Sequence, residues 1–207
     1  MSQSEFRTEK DSLGELQVPA NAYYGVQTAR AVANFPISGL RPHPVFIRAY
    51  VIIKRSAAMV HRQLGLLSPE RAEAIVRASA ELLAGQWLDQ IVVDVYQAGA
   101  GTSTNMNMNE VICNRALELL GASRGDYSKL HPNDHVNMAQ STNDSYPAAM
   151  RIGLCLKNPD VTAALDKLIA ATAQKGEEFD DVIKSSRTHL QDAVPIRLGQ
   201  EFAAYAA

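Results

Sequence analysis

The sequence predicts a mainly α fold: a small helical N-terminal domain with a short β-hairpin over residues 1–140, then the truncated start of a long central helical bundle over 141–207. Two observations predict it. Proline at a helix's opening position and glycine just past its close recur along the chain, as at Pro44 and Gly65 and again at Pro69 and Gly85. The longest periodic segment, Val161 to Ile183, would make a rod roughly 35 Å long, which needs other long helices to bury its stripe.

The elements follow in order. Phe6 to Lys10 and Glu15 to Val18 read as a hairpin around a turn at Asp11 to Gly14, and Pro19 ends it. Ala20 to Pro44 is loop-like, broken by Gly25, Pro36, Gly39 and Pro42, with one helical turn around Gln27 to Asn34. Pro44 opens a helix whose run Val45 to Leu64 is apolar on most faces. Ser68 caps the next, which starts at Pro69, runs through Leu83 and stops at Gly85. A helix from Asn105 to Leu120 stops at Gly121, with Met108, Val111, Ile112, Leu119 and Leu120 on one face. It also carries Asn105, Asn107, Asn109 and Asn114, and asparagine is a poor helix former, so the conflict marks a functional segment. After a polar loop from Gly121 to Pro132, a helix from Thr142 to Leu156 holds Pro147 in its first turns. The long segment follows, with Val161, Leu165, Leu168, Thr172, Phe179 and Val182 as its seam and Lys175 and Gly176 as weak points. A last helix opens near Leu198, and the chain stops two turns on, at Ala207, so the bundle is expected to continue in a longer protein.

Composition narrows the function. Hydrophobic residues make up 46% and charged residues 20%, and the net charge is -2, with basic residues scattered. A nucleic-acid or anionic-membrane partner is therefore not expected. Met1 to Arg7 holds no apolar leader, and no later stretch is long enough to span a bilayer. Cys113 and Cys155 lack zinc spacing and sit in apolar helical surroundings, which predicts buried free thiols and a reducing cytoplasm.

Three segments carry too many small hydroxyls, amides and glycines for a core: Gly99 to Asn107, His131 to Asp144, and Ser186 to Pro195. Each adjoins a helix end, where free N–H groups, the positive end of the dipole and short donors can converge on an anion. Each alone also has a packing explanation. Gly99-Ala100-Gly101-Thr102 reads as a turn with a threonine cap, and no lysine follows to make it a P-loop. Ser141-Thr142-Asn143-Asp144 has capping-box form. His131 and His135 stand four apart without a third ligand at metal spacing, so no metal is expected. Together, three such helix ends with few carboxylates and no nucleophile–base pair describe a pocket for a small dianion.

These segments, in this order, resemble the fumarase and aspartase superfamily, from Ala22-Tyr23-Tyr24-Gly25-Val26-Gln27-Thr28 to Leu198-Gly199-Gln200-Glu201-Phe202. Tyr24, Val93-Asp94-Val95-Tyr96-Gln97, Thr142 and Val194 are worded more like the aspartate ammonia-lyase branch than like the fumarases. The resemblance implies a helical subunit in a homotetramer whose sites draw on three subunits, acting on a small dicarboxylate, L-aspartate or fumarate, without a cofactor. It implies that Thr102, Ser141 and Thr142 bind the substrate's β-carboxylate, that Asn143 and His189 lie by its amino group, and that Thr188 lies by its α-carboxylate. His131, Asn133 and Asp134 resemble a secondary dicarboxylate site of fumarases. The family's catalytic base is a serine in a mobile Gly-Ser-Ser loop followed by Lys and Asn, and no such segment occurs in these 207 residues. These residues alone are thus expected to be inactive. Ser186 departs from the family's usual glycine and is expected to restrict a turn there. Fumarate hydration, or a non-catalytic structural role, is the alternative to ammonia elimination.

Overall fold

The computed structural model describes residues 5–207; the expectation about Met1–Arg7 falls in part on Met1–Ser4, which lie outside the described residues. The chain divides into two compact units, Met1–Leu156 and Lys157–Ala207.

The first unit opens with the expected hairpin, β1 (Phe6–Asp11) and β2 (Gly14–Pro19), antiparallel from Phe6↔Pro19 to Asp11↔Gly14. Helices α1 (Val26–Asn34), α2 (Pro44–Gln63), α3 (Pro69–Leu83) and α4 (Thr102–Leu119) follow. Their ends are set as the sequence predicts. Pro44 and Pro69 stand in first turns, His43 Nδ1 and Ser68 Oγ accept backbone N–H bonds from Val45 and Arg71, and Gly65 and Gly85 leave their helices at positive φ. α4 starts three residues earlier than expected, so Thr102 to Thr104 belong to the helix. It is buried on almost every face and is the axis of the unit, with α1, α3 and the turn at Pro132–Val136 packed on it. Tyr50, Ile75, Leu82, Met108, Ile112 and Leu117 are fully buried in the core around it.

Two buried carboxylates cap α1. Glu110 of α4 accepts the N–H of Gly25, Gln27 and Thr28 at 2.8–3.0 Å, and Glu9 of β1 accepts that of Val26 at 2.9 Å. Burial pushes the Glu110 carboxyl above its ordinary pKa in spite of those bonds. Gly25 is required here by close approach, because a Cβ would come within 2.5 Å of Glu9 Oε2 and of the Tyr127 hydroxyl.

Two of the helical asparagines turn out to be tethers. Asn107 accepts Val92 N–H and donates to Gln90 C=O, while Asn114 accepts Gly125 N–H and donates to Tyr23 C=O. Irregular segments lying on a buried helix need partners for their backbone groups, and these amides supply them. Only Asn105 joins the polar cluster described below. The expectation for the thiols splits. Cys113 is buried, donates to Leu130 C=O, and is pushed well up in pKa by burial, whereas Cys155 is exposed.

The two helices expected at Thr142–Leu156 and Val161–Ile183 are one, α5 (Thr142–Glu178), 37 residues long and about 55 Å. Pro159 lies inside it. A proline removes one backbone donor, and the apolar positions Met150, Leu154, Val161, Leu165 and Leu168 stay in phase across it.

In the second unit, the last turns of α5 lead to a hairpin that the sequence does not announce: β3 (Ile183–Thr188) and β4 (Gln191–Arg197), then α6 (Leu198–Ala206). Gly176 and Gly199 meet where α5 and α6 touch, since a Cβ on Gly199 would overlap the Gly176 carbonyl. The Phe179 and Phe202 rings lie 5.6 Å apart beside them. The seam residues Val161, Leu165, Leu168 and Val182 are exposed.

Candidate functional site

One irregular segment sets up the start of α4. Asp94, buried by its surroundings, accepts the N–H groups of Ser38, Gly39 and Tyr96 and the Ser38 hydroxyl, all at 2.7–2.8 Å. Burial works to raise its pKa, but these donors outweigh it and hold the carboxyl down to about 2. Asp94 thereby fixes the strand-like run to Gln97. The Gln97 amide then caps α4 from outside, with Oε1 accepting Thr104 N–H at 2.7 Å and Nε2 donating to Thr104 Oγ1 at 2.7 Å.

Gly99 and Gly101 carry the chain into α4 at φ 61° and 83°. Gly101 is the N-cap, offers no side-chain cap, and no acid stands in the first turn. Apart from the neutral Gln97 cap on Thr104, no side chain offsets the positive end of the helix. A Cβ on Gly101 would overlap the ring of Tyr146 in α5, so glycine is what lets the two helix starts close up. At the start of α5, Ser141 Oγ accepts Asn143 N–H at 3.2 Å, the capping half of the sequence reading. Between the two starts lies a cleft of about 330 Å³, lined by Val95, Gln97, Gly99, Ala100 and Gly101 on one side and Asn143, Tyr146 and Pro147 on the other. Two helix N-termini on one small cleft suit an anion.

Behind it lies a polar cluster that sequence reasoning missed. Lys54 of α2 is fully buried, and its Nζ donates to Asn105 Oδ1 at 2.7 Å, Asn137 Oδ1 at 2.9 Å and Gln140 Oε1 at 3.0 Å. Tyr50, one turn earlier, donates to the same Asn105 oxygen and shares a 2.9 Å bond with Ser145 Oγ. Burial lowers the Lys54 pKa to about 7 and lifts the Tyr50 pKa to about 12. A signal for Lys54 existed: Ile47, Tyr50, Val51, Lys54, Ala58 and His61 share one helical face, and every one is buried.

The residues singled out from the sequence distribute as follows. Asn143 lines the cleft, whereas Thr102 and Thr142 only neighbour lining residues in sequence and Ser141 reaches it through its bond from Asn143 N–H, with Thr102 exposed. Thr188 and His189 belong to the second unit, where Thr188 ends β3 and His189 and Leu190 form the two-residue turn at φ 50° and 63°. Both φ values are in the left-handed region that non-glycine residues avoid, a strain of the kind found at functional sites. Ser186 does not restrict a turn. It sits at a bulge within β3, where its hydroxyl donates to Val194 C=O at 2.7 Å and accepts Val194 N–H at 3.1 Å, replacing ladder bonds that the bulge interrupts. His131 Nδ1 accepts the N–H groups of Asn133 and Asp134, each at 3.2 Å, in the turn Pro132–Val136. No group of three or more His, Cys, Asp or Glu residues able to hold a metal ion occurs among the described residues.

Comparison with known proteins shows what the chain is similar to. A lyase family model matches residues 14–207. The chain is 55% identical to an aspartate ammonia-lyase of Pseudomonas canavaninivorans, over 99% of its own length and 44% of the relative's. It is also 55% identical to a class II fumarate hydratase of Halobacterium salinarum, over 97% of its length and 43% of the relative's. A crystal structure of fumarate lyase:delta crystallin from Brucella melitensis in native form superposes with a TM-score of 0.89 at 54% identity, covering 97% of this chain and 47% of that one. The chain thus spans less than half the length of these relatives.

Proposed function

The chain belongs to this lyase family, and from that premise we propose that the full-length protein, one as long as these relatives, eliminates ammonia from L-aspartate to give fumarate. The observation that carries the reading is the cleft shared by the starts of α4 and α5, where exposed hydroxyls and two positive helix ends stand together. Aspartate's C3 proton is weakly acidic, so its removal needs a stabilised carbanion. That carbanion is an aci-carboxylate, with extra negative charge on the β-carboxylate oxygens. Fixed donors there favour the intermediate over the ground state, as an oxyanion hole does.

In this reading Thr102, Ser141 and Thr142 hold the β-carboxylate, Asn143 and His189 face the amino group, and Thr188 faces the α-carboxylate. The base is the serine of the family's Gly-Ser-Ser loop, which these 207 residues do not contain, and ammonia leaves from C2 without a cofactor. A dicarboxylate at His131, Asn133 and Asp134 would have to replace the bonds that the His131 ring now makes. Assembly into a homotetramer would cover the exposed stripe of α5. No helix among the described residues is long and apolar enough to cross a membrane.

The second reading, fumarate hydration, has its own support in the 55% identity to the Halobacterium salinarum protein of that name. Steady-state kinetics of the full-length protein on aspartate and malate separates the two. A wide preference for aspartate is expected, and comparable efficiency on malate would move the assignment to the hydratase. Thr102→Ala should lower kcat by about a hundredfold with a smaller change in KM, because its bond strengthens as charge develops. His189→Ala should raise KM clearly and lower kcat as well. Near-normal kcat/KM in both would remove these residues from the site.

A further inference from the structure

Lys54 is the buried charge whose purpose the fold does not explain. An ammonium taken wholly out of water is costly, and a carboxylate partner would be the usual compensation. Here the acceptors are instead the amide oxygens of Asn105, Asn137 and Gln140, one for each N–H. A methionine would fill the same space in a core without that cost. What distinguishes the acceptors is their position. Asn105 N–H closes the first turn of α4 onto Gly101 C=O at 3.0 Å, and Gln140 immediately precedes Ser141 at the start of α5. The network is closed on itself, with Asn105 Nδ2 donating to Asn137 Oδ1 at 3.1 Å and Asn137 Nδ2 to Gln140 C=O at 3.0 Å.

We propose that Lys54 is a positioning residue for the dicarboxylate cleft: its ammonium ties the first turn of α4 to the segment entering α5, fixes the spacing of the two helix starts, and places a positive charge behind the anion. The inference rests on the reading of the cleft as a dicarboxylate site. It carries a pH signature. A neutral amine donates fewer hydrogen bonds and carries no charge, so the cleft should hold a dianion best below the Lys54 pKa, near 7, and less well as pH rises through it. The titratable groups around Lys54 are Tyr50 on its own helix and Tyr146 on α5, and burial raises both, so neither ionises in that range. Asn105 from α4, Asn137 and Gln140 from the preceding turn, and Ser145 from α5 do not titrate. One charge about 10 Å from the nearer carboxylate, at an effective dielectric near 20, corresponds to roughly a tenfold change in affinity, and the farther, more screened carboxylate adds less.

The test is calorimetric titration of the full-length protein and its Lys54→Met variant with fumarate, which stays doubly ionised from about pH 6 to 8.5. Wild type should lose about tenfold in affinity across that range. Lys54→Met should bind about tenfold more weakly at pH 6 and show that pH dependence greatly flattened. A variant that keeps the wild-type slope, whether or not its affinity drops, overturns the proposal, because a filler role would leave the slope intact. Should Lys54→Met fail to fold, NMR of lysine labelled at Nζ in the wild type decides. Fumarate should raise the proton affinity of Lys54 about tenfold, and an unchanged value overturns the proposal. Wild type that binds no fumarate at any pH sinks the substrate reading and this inference with it, whereas pH-independent binding sinks the inference alone.

Discussion

The unit Met1–Leu156 buries core side chains on four helices, while among the described residues of Lys157–Ala207 only Gly176 and Gly199 are buried. The apolar patterns of the two are alike in kind. Ile47, Tyr50 and Val51 recur on one face of α2 as Val161, Leu165 and Leu168 do on α5, but the first set lies in a buried core with α3, with Tyr50 bonded to Asn105 of α4, and the second meets solvent. Hydrophobic periodicity states which face a helix will bury, and is silent on what will cover it. The same contrast extends to polar groups. In the first unit Lys54, Glu110 and Asn105 are paired inside the protein, whereas the ion pairs Lys175–Glu178 and Arg197–Asp180 of the second lie on its surface, where such pairs contribute little.

The contrast is tested first where it should be largest. Val111→Asp in α4 should unfold the first unit, since an unpaired carboxylate in a closed core costs more than about 4 kcal/mol. Survival of a cooperative melt in that variant would show that the core is looser than its burial implies. Next comes Gly101→Ala, which combines a left-handed backbone with overlap on Tyr146. A loss of about 2–4 kcal/mol in denaturant unfolding is expected, with the cleft distorted.

Acid should act next, through Asp94. Its folded pKa is depressed to about 2 against an unfolded value of about 3.9, so its contribution is complete above about pH 4 and is lost as pH falls toward 2. Asp94→Asn should lower the melting temperature at pH 7 by a few degrees and flatten the acid slope. An unchanged slope would mean that the Ser38–Gly39 segment is held by other contacts. The smallest effect belongs to the second unit: Leu165→Asp should shift stability of the 207-residue chain by no more than about 0.5 kcal/mol and reduce its self-association. A loss as large as that of Val111→Asp would erase the distinction between the units.

How much of this was legible follows the same division. Boundaries written in local chemistry were readable: the prolines at 44 and 69, the cap at Ser68, the glycines at 65 and 85, and the first hairpin with its turn before Gly14. The polar runs at Thr102 and at Ser141 to Asn143 were readable too, because so many small donors have no place in a core. The join at 156–161 was not readable from local chemistry, since only the apolar phase that passes straight through Pro159 marks Thr142–Glu178 as one helix. The hairpin at 183–197 was hidden since Lys184-Ser185-Ser186-Arg187 lacks alternation and the turn lacks Asn or Gly. Lys54 was overlooked because a single lysine among apolar residues looks like one whose head reaches water, and its three amide partners come from segments 51 to 86 positions away.

The turn His189–Leu190 has a consequence for how this protein could change. A two-residue hairpin loop with both residues at positive φ is the setting that favours Asn-Gly, and here it is occupied by an imidazole and by a leucine that is 94% exposed. Almost any trial sequence drawn toward local comfort would make this corner sturdier. A laboratory selection for heat tolerance alone would therefore drift toward Asn-Gly there and discard the histidine early. Retaining His189 through such a selection would show that something other than stability had been selected alongside it.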